Sequence, residues 1–246
     1  RSPAHIEPIR GANMNLTTLA PVALLGAELI SPAITADLSS ETFKLPPAAA
    51  EVFIRSGGDR ETSLLEAITE TAEASGVQVH TDASVAGRLC ELPAGFDRDF
   101  TIPAEDAWAV TEHALMQSGF VLSVLRHGGT HVVAVKSARS ELNQVDAVFQ
   151  AVTVEDLEYV REHPAILFEL SLELSNIDVR TTSRELRMLI NADGSFQCVP
   201  LGVNDIILKG VGHRVGAVAE LLLSVNERAG ARWQTQNEET EASSDG

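Results

Sequence analysis

Residues 168–228 decide the fold, and they read FELSLELSNIDVRTTSRELRMLINADGSFQCVPLGVNDIILKGVGHRVGAVAELLLSVNER. At the start of this stretch four apolar residues alternate with three polar ones: Phe168, Leu170, Leu172 and Leu174 against Glu169, Ser171 and Glu173. A period of two is typical of a strand with one face in a core and the other in water. An amphipathic helix, two short strands around a turn and a second helix follow. The stretch therefore predicts a βαββα module in which two helices cover one sheet.

The first helix of this module is predicted from a capping motif and an apolar stripe. Thr182-Ser183-Arg184-Glu185 fits a capping box, in which Glu185 reaches back to the start of the helix. Asp193-Gly194 is a typical helix end. The predicted buried stripe consists of Leu186, Leu189 and Ile190.

Two strands and a second helix complete the module. Residues 196–201 and 205–209 are predicted strands, and Gly202-Val203-Asn204 between them has the composition of a tight turn. Gly210-Val211-Gly212 has no third glycine in register and no Lys-Ser or Lys-Thr after it, so it indicates the end of a strand rather than a phosphate loop. The last helix has apolar residues at spacings of three and four: Val218, Leu221, Leu222 and Val225.

Residues 41–137 predict a first module with the order βαββ–βαββ, so the whole chain is predicted to be α+β. The predicted strands cover residues 42–45, 77–81, 85–92 and 100–102, and a hairpin follows at residues 120–135. One helix is predicted between Thr62 and Gly76, and another between Pro103 and Gly119. Gly128-Gly129 between two apolar runs is a typical hairpin turn.

Three other segments are predicted around the modules. Residues 138–165 form a connector, in which residues 152–162 can be a short helix. Residues 1–40 form a leader, and the apolar run from Met14 leaves open whether it is an export signal or a poorly ordered segment. That run is too short and too interrupted for a membrane span. Residues 231–246 are polar and acidic, which predicts a disordered tail.

The composition limits the class of protein. The chain has 246 residues, 44% of them hydrophobic, which is enough for a buried core. Asp plus Glu number 35 and Lys plus Arg number 18, for a formal net charge of -17. Such a charge repels phosphate backbones and disfavours binding to nucleic acid or an anionic membrane. The sequence has no run of Lys or Arg that predicts a local basic patch.

The candidate thiol and metal-binding residues are scattered. Cys90 and Cys198 are predicted to be separate thiols, with an inter-domain disulfide as the alternative in an oxidising compartment. His127 and His131 flank the predicted hairpin turn and could share an ion with His80 or His113. A polar hairpin tip is the simpler interpretation of this spacing.

The carboxylates also have a simple interpretation. Glu105-Asp106 suits the first turn of a helix, where acidic residues are favoured by the helix dipole. Glu169 and Glu173 are predicted to lie on the solvent-exposed face of a strand. A G-x-S-x-G nucleophile motif is missing from the sequence. We therefore predict no catalytic, cofactor-binding or metal-binding residue and no cofactor.

The second module resembles the small N1-type repeat of bacterial secretins, the outer-membrane channels of type II secretion. The resemblance is carried by Leu174-Ser175-Asn176-Ile177-Asp178-Val179, by Leu186 and Leu189, and by Asn204 with the strand after it. That family usually ends the last helix with Leu-Asp or Val-Asp, whereas this chain has Val225-Asn226-Glu227. The resemblance covers residues 166–230.

The first module resembles the secretin N0 domain, which is shared with the signalling domain of TonB-dependent transporters. The features that match are residues 63–77, Val85-Ala86-Gly87-Arg88, residues 103–118 and the hairpin after Gly119. The two modules follow one another in the order that secretins use, over residues 41–230. The long β-rich channel domain of secretins has no counterpart after Glu227.

The resemblance implies a function in protein assembly. It predicts a non-enzymatic protein-interaction module of the periplasm or cell envelope, with partners from a secretion complex and with homo-oligomerisation possible in principle. Exposed sheet edges and helix faces are the expected contact surfaces. The alternative is a KH-like RNA-binding protein, which the missing GxxG loop and the acidic charge disfavour.

Overall fold

The computed structural model of the chain describes residues 44–57, 61–127, 130–138, 148–190 and 196–244, all in one compact unit. The unit mixes helices with small sheets, so the predicted α+β class is confirmed. The strands in these ranges are β1 (Val52–Ile54), β2 (Gln78–His80), β3 (Phe100–Ile102), β4 (Phe120–His127), β5 (Thr130–Ser137), β6 (Gln150–Val152), β7 (Leu167–Glu173), β8 (Phe196–Leu201) and β9 (Asp205–Val211). The helices are α1 (Leu64–Ala74), α2 (Ala83–Glu91), α3 (Ala107–Gln117), α4 (Leu157–Glu162), α5 (Val179–Ile190) and α6 (Gly212–Ser244).

The first module contains a three-stranded sheet and a separate two-stranded ladder. In the sheet, β5 lies between β2, which is parallel to it, and β4, which is antiparallel to it. The predicted hairpin of β4 and β5 is confirmed, although the residues of its Gly-Gly turn lie outside the described ranges. β1 pairs with β3 in the ladder. Residues 44–45 have no strand structure and residues 42–43 lie outside the description, so the first described strand comes later than predicted.

The prediction of a strand at residues 85–92 is wrong, because this segment forms helix α2. The Asp82 carboxylate caps the helix by accepting a hydrogen bond of 2.8 Å from the Val85 amide. Val85 and Leu89, four residues apart, are the buried positions of the helix. The apolar residues at 85, 89 and 92 follow helical spacing, and the order becomes βαβαβαββ instead of two βαββ repeats.

The N-terminal cap of helix α1 lies one residue later than predicted. Ser63, not Thr62, forms a capping box with Glu66, whose carboxylate accepts a hydrogen bond of 2.8 Å from the Ser63 amide. The Thr62 hydroxyl instead accepts a hydrogen bond from the Arg55 amide at 2.9 Å. Two neighbouring hydroxyl residues compete for such a cap, and sequence alone does not separate them.

The second module is built on a four-stranded sheet in the order β6-β7-β9-β8. The alternation at residues 168–174 forms β7, which pairs antiparallel with β9, and β9 pairs antiparallel with β8. β6 is parallel to β7, so part of the expected connector is an edge strand of this sheet. The predicted order βαββα is confirmed for the elements from β7 to α6.

The predicted capping box of the first helix in this module is wrong. Helix α5 begins at Val179, three residues earlier, so Thr182 and Glu185 lie inside it. Asp178 caps it instead, because its carboxylate accepts hydrogen bonds from the Arg180 amide at 2.9 Å and the Thr181 hydroxyl at 2.7 Å. The side chains of Leu189 and Ile190 and the predicted end at 193–194 lie outside the description.

Helix α6 is longer than predicted, and fewer of its predicted apolar residues are buried. Val218 and Leu222 are buried as predicted, but Leu221 is 52% exposed and Val225 is also exposed. The backbone is helical to Ser244, through the region where a disordered tail is predicted. None of the helices in the described ranges is long and apolar enough to cross a bilayer.

The two modules share one core. The Leu122 amide of β4 donates a hydrogen bond of 2.9 Å to the Ala165 carbonyl, and Leu122 forms a parallel bridge with Ile166 just before β7. Phe120 of the first module and Phe168 of the second belong to the same buried apolar cluster. The first module is therefore packed directly against the start of the second sheet.

Candidate protein-docking surface

One face of the four-stranded sheet is open over part of its area. Because side chains alternate along a strand, Leu170 of β7 and Leu208 of β9 point into the core beneath the helices. The residues that alternate with buried ones along β7, β8 and β9 point to the opposite side of the sheet. The partly or fully exposed ones are Glu169, Ser171, Glu173, Gln197, Val199, Leu201, Asp205, Ile207 and Lys209. We call this set of nine residues the open face.

The first module closes one end of this side of the sheet. Leu167 of β7 and Val211 of β9 are directly paired and buried in a small cluster with Val121 of β4. Next to them, the Lys209 ammonium lies 2.6 Å from the Glu169 carboxylate and 5.7 Å from the centre of the Phe149 ring. The open face therefore begins at an ion pair and extends away from the module junction.

The middle of the open face is apolar. Ile207 of β9 pairs with Val199 of β8 on one side and with Ser171 of β7 on the other. Val199 and Leu201 are exposed, and Val203 in the turn after β8 is 76% exposed. Apolar residues that adjoin one another on an uncovered sheet are typical of a surface that another molecule covers.

The far end of the open face is acidic. Glu173 of β7 and Asp205 of β9 occupy directly opposite positions in the strand pairing. Both residues are exposed, and Leu201 of β8 lies opposite Asp205 on the other side. Like charges directly opposite on a sheet destabilise it, so this pair favours a ligand that brings positive charge.

The edge of the sheet at β8 is less suited to binding than the open face. Pro200 removes one amide donor from this edge strand. The Arg187 guanidinium of α5 donates two hydrogen bonds, of 3.2 and 2.9 Å, to the Cys198 carbonyl of the same strand. Both features hinder the addition of another strand at this edge.

A cleft of about 490 Å³ lies where the modules meet. Trp108 and Tyr159 line it, and their polar atoms are already used: Trp108 Nε1 donates to the Pro46 carbonyl at 3.1 Å, and Tyr159 Oη accepts from the Leu45 amide at 2.9 Å. Burial raises the pKa of Tyr159 to about 12. This hydroxyl is therefore neutral at physiological pH and serves to hold the 44–48 segment.

Glu112 and His163 form a buried pair beside the cleft. Glu112 of α3 is fully buried, and its Oε1 lies 2.6 Å from His163 Nδ1 at the end of α4. The second carboxylate oxygen accepts a hydrogen bond of 3.0 Å from the Ala165 amide. Both carboxylate oxygens are thus directed at residues 163–165, just before β7, so this pair holds the first module to the start of the second sheet. The sequence analysis did not identify either residue, and neither has a local motif.

The other chemical candidates do not assemble into a site. Among the described residues, no group of three or more His, Cys, Asp or Glu side chains is placed to hold a metal ion. The His127 side chain lies outside the description. Cys90 is exposed on α2 and Cys198 is buried in β8, and both are free thiols, so they do not form the alternative disulfide. Burial raises the pKa of the Cys198 thiol to about 11, which keeps it protonated and unreactive.

The structure shows a basic stripe that the sequence analysis missed. Arg180, Arg184 and Arg187 are exposed on α5 at spacings of four and three, which places them on one side of the helix. Met188 beside them is 76% exposed. We call these four residues the basic stripe. In the sequence, this stripe is indicated by the spacing of its arginines by four and three residues, and not by a continuous run of basic residues.

Comparisons with known proteins give structural similarity only. No protein-family model matches the sequence, and no curated protein matches it. The Klebsiella pneumoniae type II secretion system outer membrane complex of PulD, PulS and the PulC HR domain is similar at 16% identity over 70% of this chain, with a TM-score of 0.46. This chain covers 26% of that protein's chain.

A second solved structure is similar at a lower level. The GspC–GspD complex from the type II secretion system of enterotoxigenic Escherichia coli shares 12% identity over 72% of this chain, with a TM-score of 0.25, and the match covers 99% of that chain. Both TM-scores are below 0.5, so the function is inferred from the residues of this protein and not from these two structures.

Proposed function

We propose that this protein is a non-enzymatic protein-interaction module that binds a partner protein through its open face. The observation that carries the proposal is the juxtaposition of Ile207, Val199 and Leu201 with the opposed carboxylates Glu173 and Asp205. An apolar centre gives affinity, and an acidic margin selects a partner with Lys or Arg beside its own apolar residues.

The rigidity of the scaffold supports this proposal. The open face is formed by three mutually paired strands, β7, β9 and β8, whose other side is buried in the core. Its junction end is fixed by Val121 of the first module. A surface that does not reorganise on binding loses little conformational entropy, so a small apolar patch can support a specific complex.

The place of action is part of the same proposal. The resemblance of residues 41–230 to the two periplasmic domains of secretins favours the periplasm or cell envelope and a partner within a secretion complex. We further propose the domain boundaries that the resemblance implies, at residues 41–137 and 166–230. The partner of the open face would then be another envelope protein rather than a nucleic acid.

Site-specific photo-cross-linking in cells that make the protein tests this proposal. A photoreactive amino acid at Val199 should form an adduct with one envelope protein, identified by mass spectrometry. The same amino acid at Glu91, an exposed position on α2, is the control for random proximity. Charge substitution at the neighbouring position, Ile207→Lys, should abolish the Val199 adduct.

Two outcomes would reject the proposed function. One is an adduct yield at Val199 no higher than at Glu91. The other is an adduct with RNA, seen as a ribonuclease-sensitive product, which would revive the KH-like alternative. Far-ultraviolet circular dichroism of the Ile207→Lys variant separates loss of binding from loss of fold, and Leu201→Lys, at a more exposed position of the open face, serves where Ile207→Lys unfolds.

A further inference from the structure

The cleft where the modules meet is walled by three separate elements. Residues 44–47 form one wall, Trp108 of α3 forms the second, and Tyr159 with His163 at the end of α4 forms the third. Its volume of about 490 Å³ lies within the range of small-molecule sites in proteins, about 300–1,000 Å³. We call it the junction cleft.

His163 offers an unused ring nitrogen to the junction cleft. Its side chain lines the cleft and is only 10% exposed. Nδ1 is held by the Glu112 carboxylate at 2.6 Å, whereas Nε2 has no hydrogen-bond partner among the described residues and is not sealed from solvent. With a carboxylate on Nδ1, that nitrogen carries the proton, so Nε2 of the neutral ring accepts a hydrogen bond. The ring therefore presents a lone pair to a donor in the cleft.

The rim of the junction cleft is acidic. Glu105 and Asp106 just before α3 and Glu162 at the end of α4 line it, and all three are exposed. No ion pair to any of them is found within the described ranges. Lys44, which also lines the cleft, is already paired with Asp156 at 3.4 Å. Three carboxylates thus face the cleft without a cation.

The position of Glu162 has no explanation in helix stability. Acidic residues before a helix are favoured by its dipole, which accounts for Glu105 and Asp106. Glu162 is the last residue of α4, where the dipole disfavours a negative charge. A positive charge bound in the cleft would offset this unfavourable placement.

The aromatic walls suit an organic cation. The Lys44 ammonium lies 5.6 Å from the centre of the Tyr159 ring, so this ring already accepts a cation on one side. The Trp108 ring adds an apolar surface for the stem of a ligand. A metal ion would need grouped ligands, and no three His, Cys, Asp or Glu side chains are so placed among the described residues.

We propose that the junction cleft binds a guanidinium or ammonium group carried on a short apolar stem. The cationic group donates to His163 Nε2 and pairs with the rim carboxylates, and the stem packs on Trp108 and Tyr159. The source of such a group is either an Arg or Lys side chain of another protein or a free amine. This site is separate from the open face and does not rest on the proposed function.

Fluorescence titration of the full chain with Trp233→Phe tests the proposal, because Trp108 is then the one tryptophan. Butylguanidinium should give a saturable change in Trp108 emission. Its neutral isostere, butylurea, should bind at least about tenfold more weakly, because it lacks the charge. E105Q/E162Q should weaken the binding of butylguanidinium at least about tenfold. Glu158→Gln, at an exposed position of α4 outside the cleft, is the matched control and should leave the affinity unchanged.

Heteronuclear NMR of the His163 ring gives a readout that general attraction to an acidic protein does not move. Butylguanidinium should shift the Nε2 resonance and leave Nδ1 nearly unchanged. Two further ligands distinguish the sources, and either result supports the cleft. N-acetylarginine methylamide binding as tightly as butylguanidinium indicates a protein side chain, and a preference of at least about tenfold for agmatine indicates a free diamine.

Four outcomes overturn the proposal. They are an unsaturable response to butylguanidinium, equal binding of butylurea, equal losses of affinity in Glu158→Gln and E105Q/E162Q, and saturable binding with an unshifted Nε2 resonance. An affinity that E105Q/E162Q leaves unchanged would reject it as well. Loss of the Val199 adduct with intact binding of butylguanidinium would instead reject only the proposed function.

Discussion

Gly212, at the start of α6, packs closely against the end of α4. A Cβ atom at this position would lie 2.1 Å from the His163 carbonyl oxygen and 2.6 Å from the Val160 carbonyl oxygen. Both are backbone atoms, so neither can move away easily. The sequence analysis interpreted this glycine as the end of a strand. The structure shows that a side chain at this position would also clash with the end of α4, which is distant in sequence and which no local pattern could indicate.

Gly212→Ala should therefore lower the free energy of unfolding, by about 1–3 kcal/mol or more, as overpacking of a close contact does. Gly87→Ala in α2 is the matched control, because a Cβ atom there meets nothing within 4 Å. That control should stabilise the protein by about 0.5–1 kcal/mol, since alanine favours a helix. Urea denaturation measures both, and equal effects from the two changes would contradict the packing argument.

A second prediction for a single residue concerns Tyr159, whose titration can be followed directly because it is the one tyrosine of the chain. Burial raises its pKa to about 12 in the folded protein, whereas an unfolded chain titrates near 10. The unfolded state thus loses its proton first, and folding stability should fall as pH rises from about 10 to about 12. Below pH 10 both states are protonated, and this residue adds no pH dependence.

Ultraviolet titration of tyrosinate measures the native pKa directly, provided that readings precede unfolding. The expected midpoint is well above that of the protein in denaturant. Tyr159→Phe should remove this part of the alkaline loss of stability. A native midpoint equal to the denatured one would show that the ring is not held in the junction cleft.

At the scale of single elements, sequence patterns predicted β7, β9 and the β4–β5 hairpin well because their side-chain periodicity is uninterrupted. Helix α2 was missed because the segment is short, although the spacing of Val85, Leu89 and Leu92 by four and three residues is the helical signal that could have identified it. The start of α5 was misplaced because Asp178 and Thr182 are both plausible caps. The open face could be anticipated from the alternation in β7, but its apolar centre required the register of three strands.

Helix α6 provides the test at this scale, through two adjacent leucines. Leu222 is buried in the shared core and Leu221 is exposed, although both belonged to the predicted apolar face. Leu222→Ala should lower the free energy of unfolding by about 2–5 kcal/mol, and Leu221→Ala should change it by no more than about 0.5 kcal/mol. Chemical denaturation of the two variants under one set of conditions tests which side of α6 faces the core. A larger loss of stability for Leu221→Ala than for Leu222→Ala would mean that Leu221, not Leu222, faces the core.

At the scale of the whole molecule, the sequence predicted two modules joined by a connector, and the structure shows them sharing one core. Leu122, Ile166 and the Glu112–His163 pair come from segments more than forty residues apart, and no local pattern indicates such contacts.

A shared core predicts that both modules unfold together. Two probes can follow them separately in a variant with Trp233→Phe and Cys90→Ser: Trp108 fluorescence for the first module and thiol labelling of Cys198 for the second. Their urea midpoints should coincide, because Trp108 and Cys198 are buried in the same apolar cluster. Glu112→Ala removes the acceptor of the His163 Nδ1 and Ala165 amide contacts, so it should lower both midpoints together by an amount equivalent to about 1–3 kcal/mol. Glu105→Ala, at an exposed position near the start of α3, should move neither midpoint. If Glu112→Ala lowered only the Trp108 midpoint, the modules would be independent, and the open face would then be a property of the second module alone.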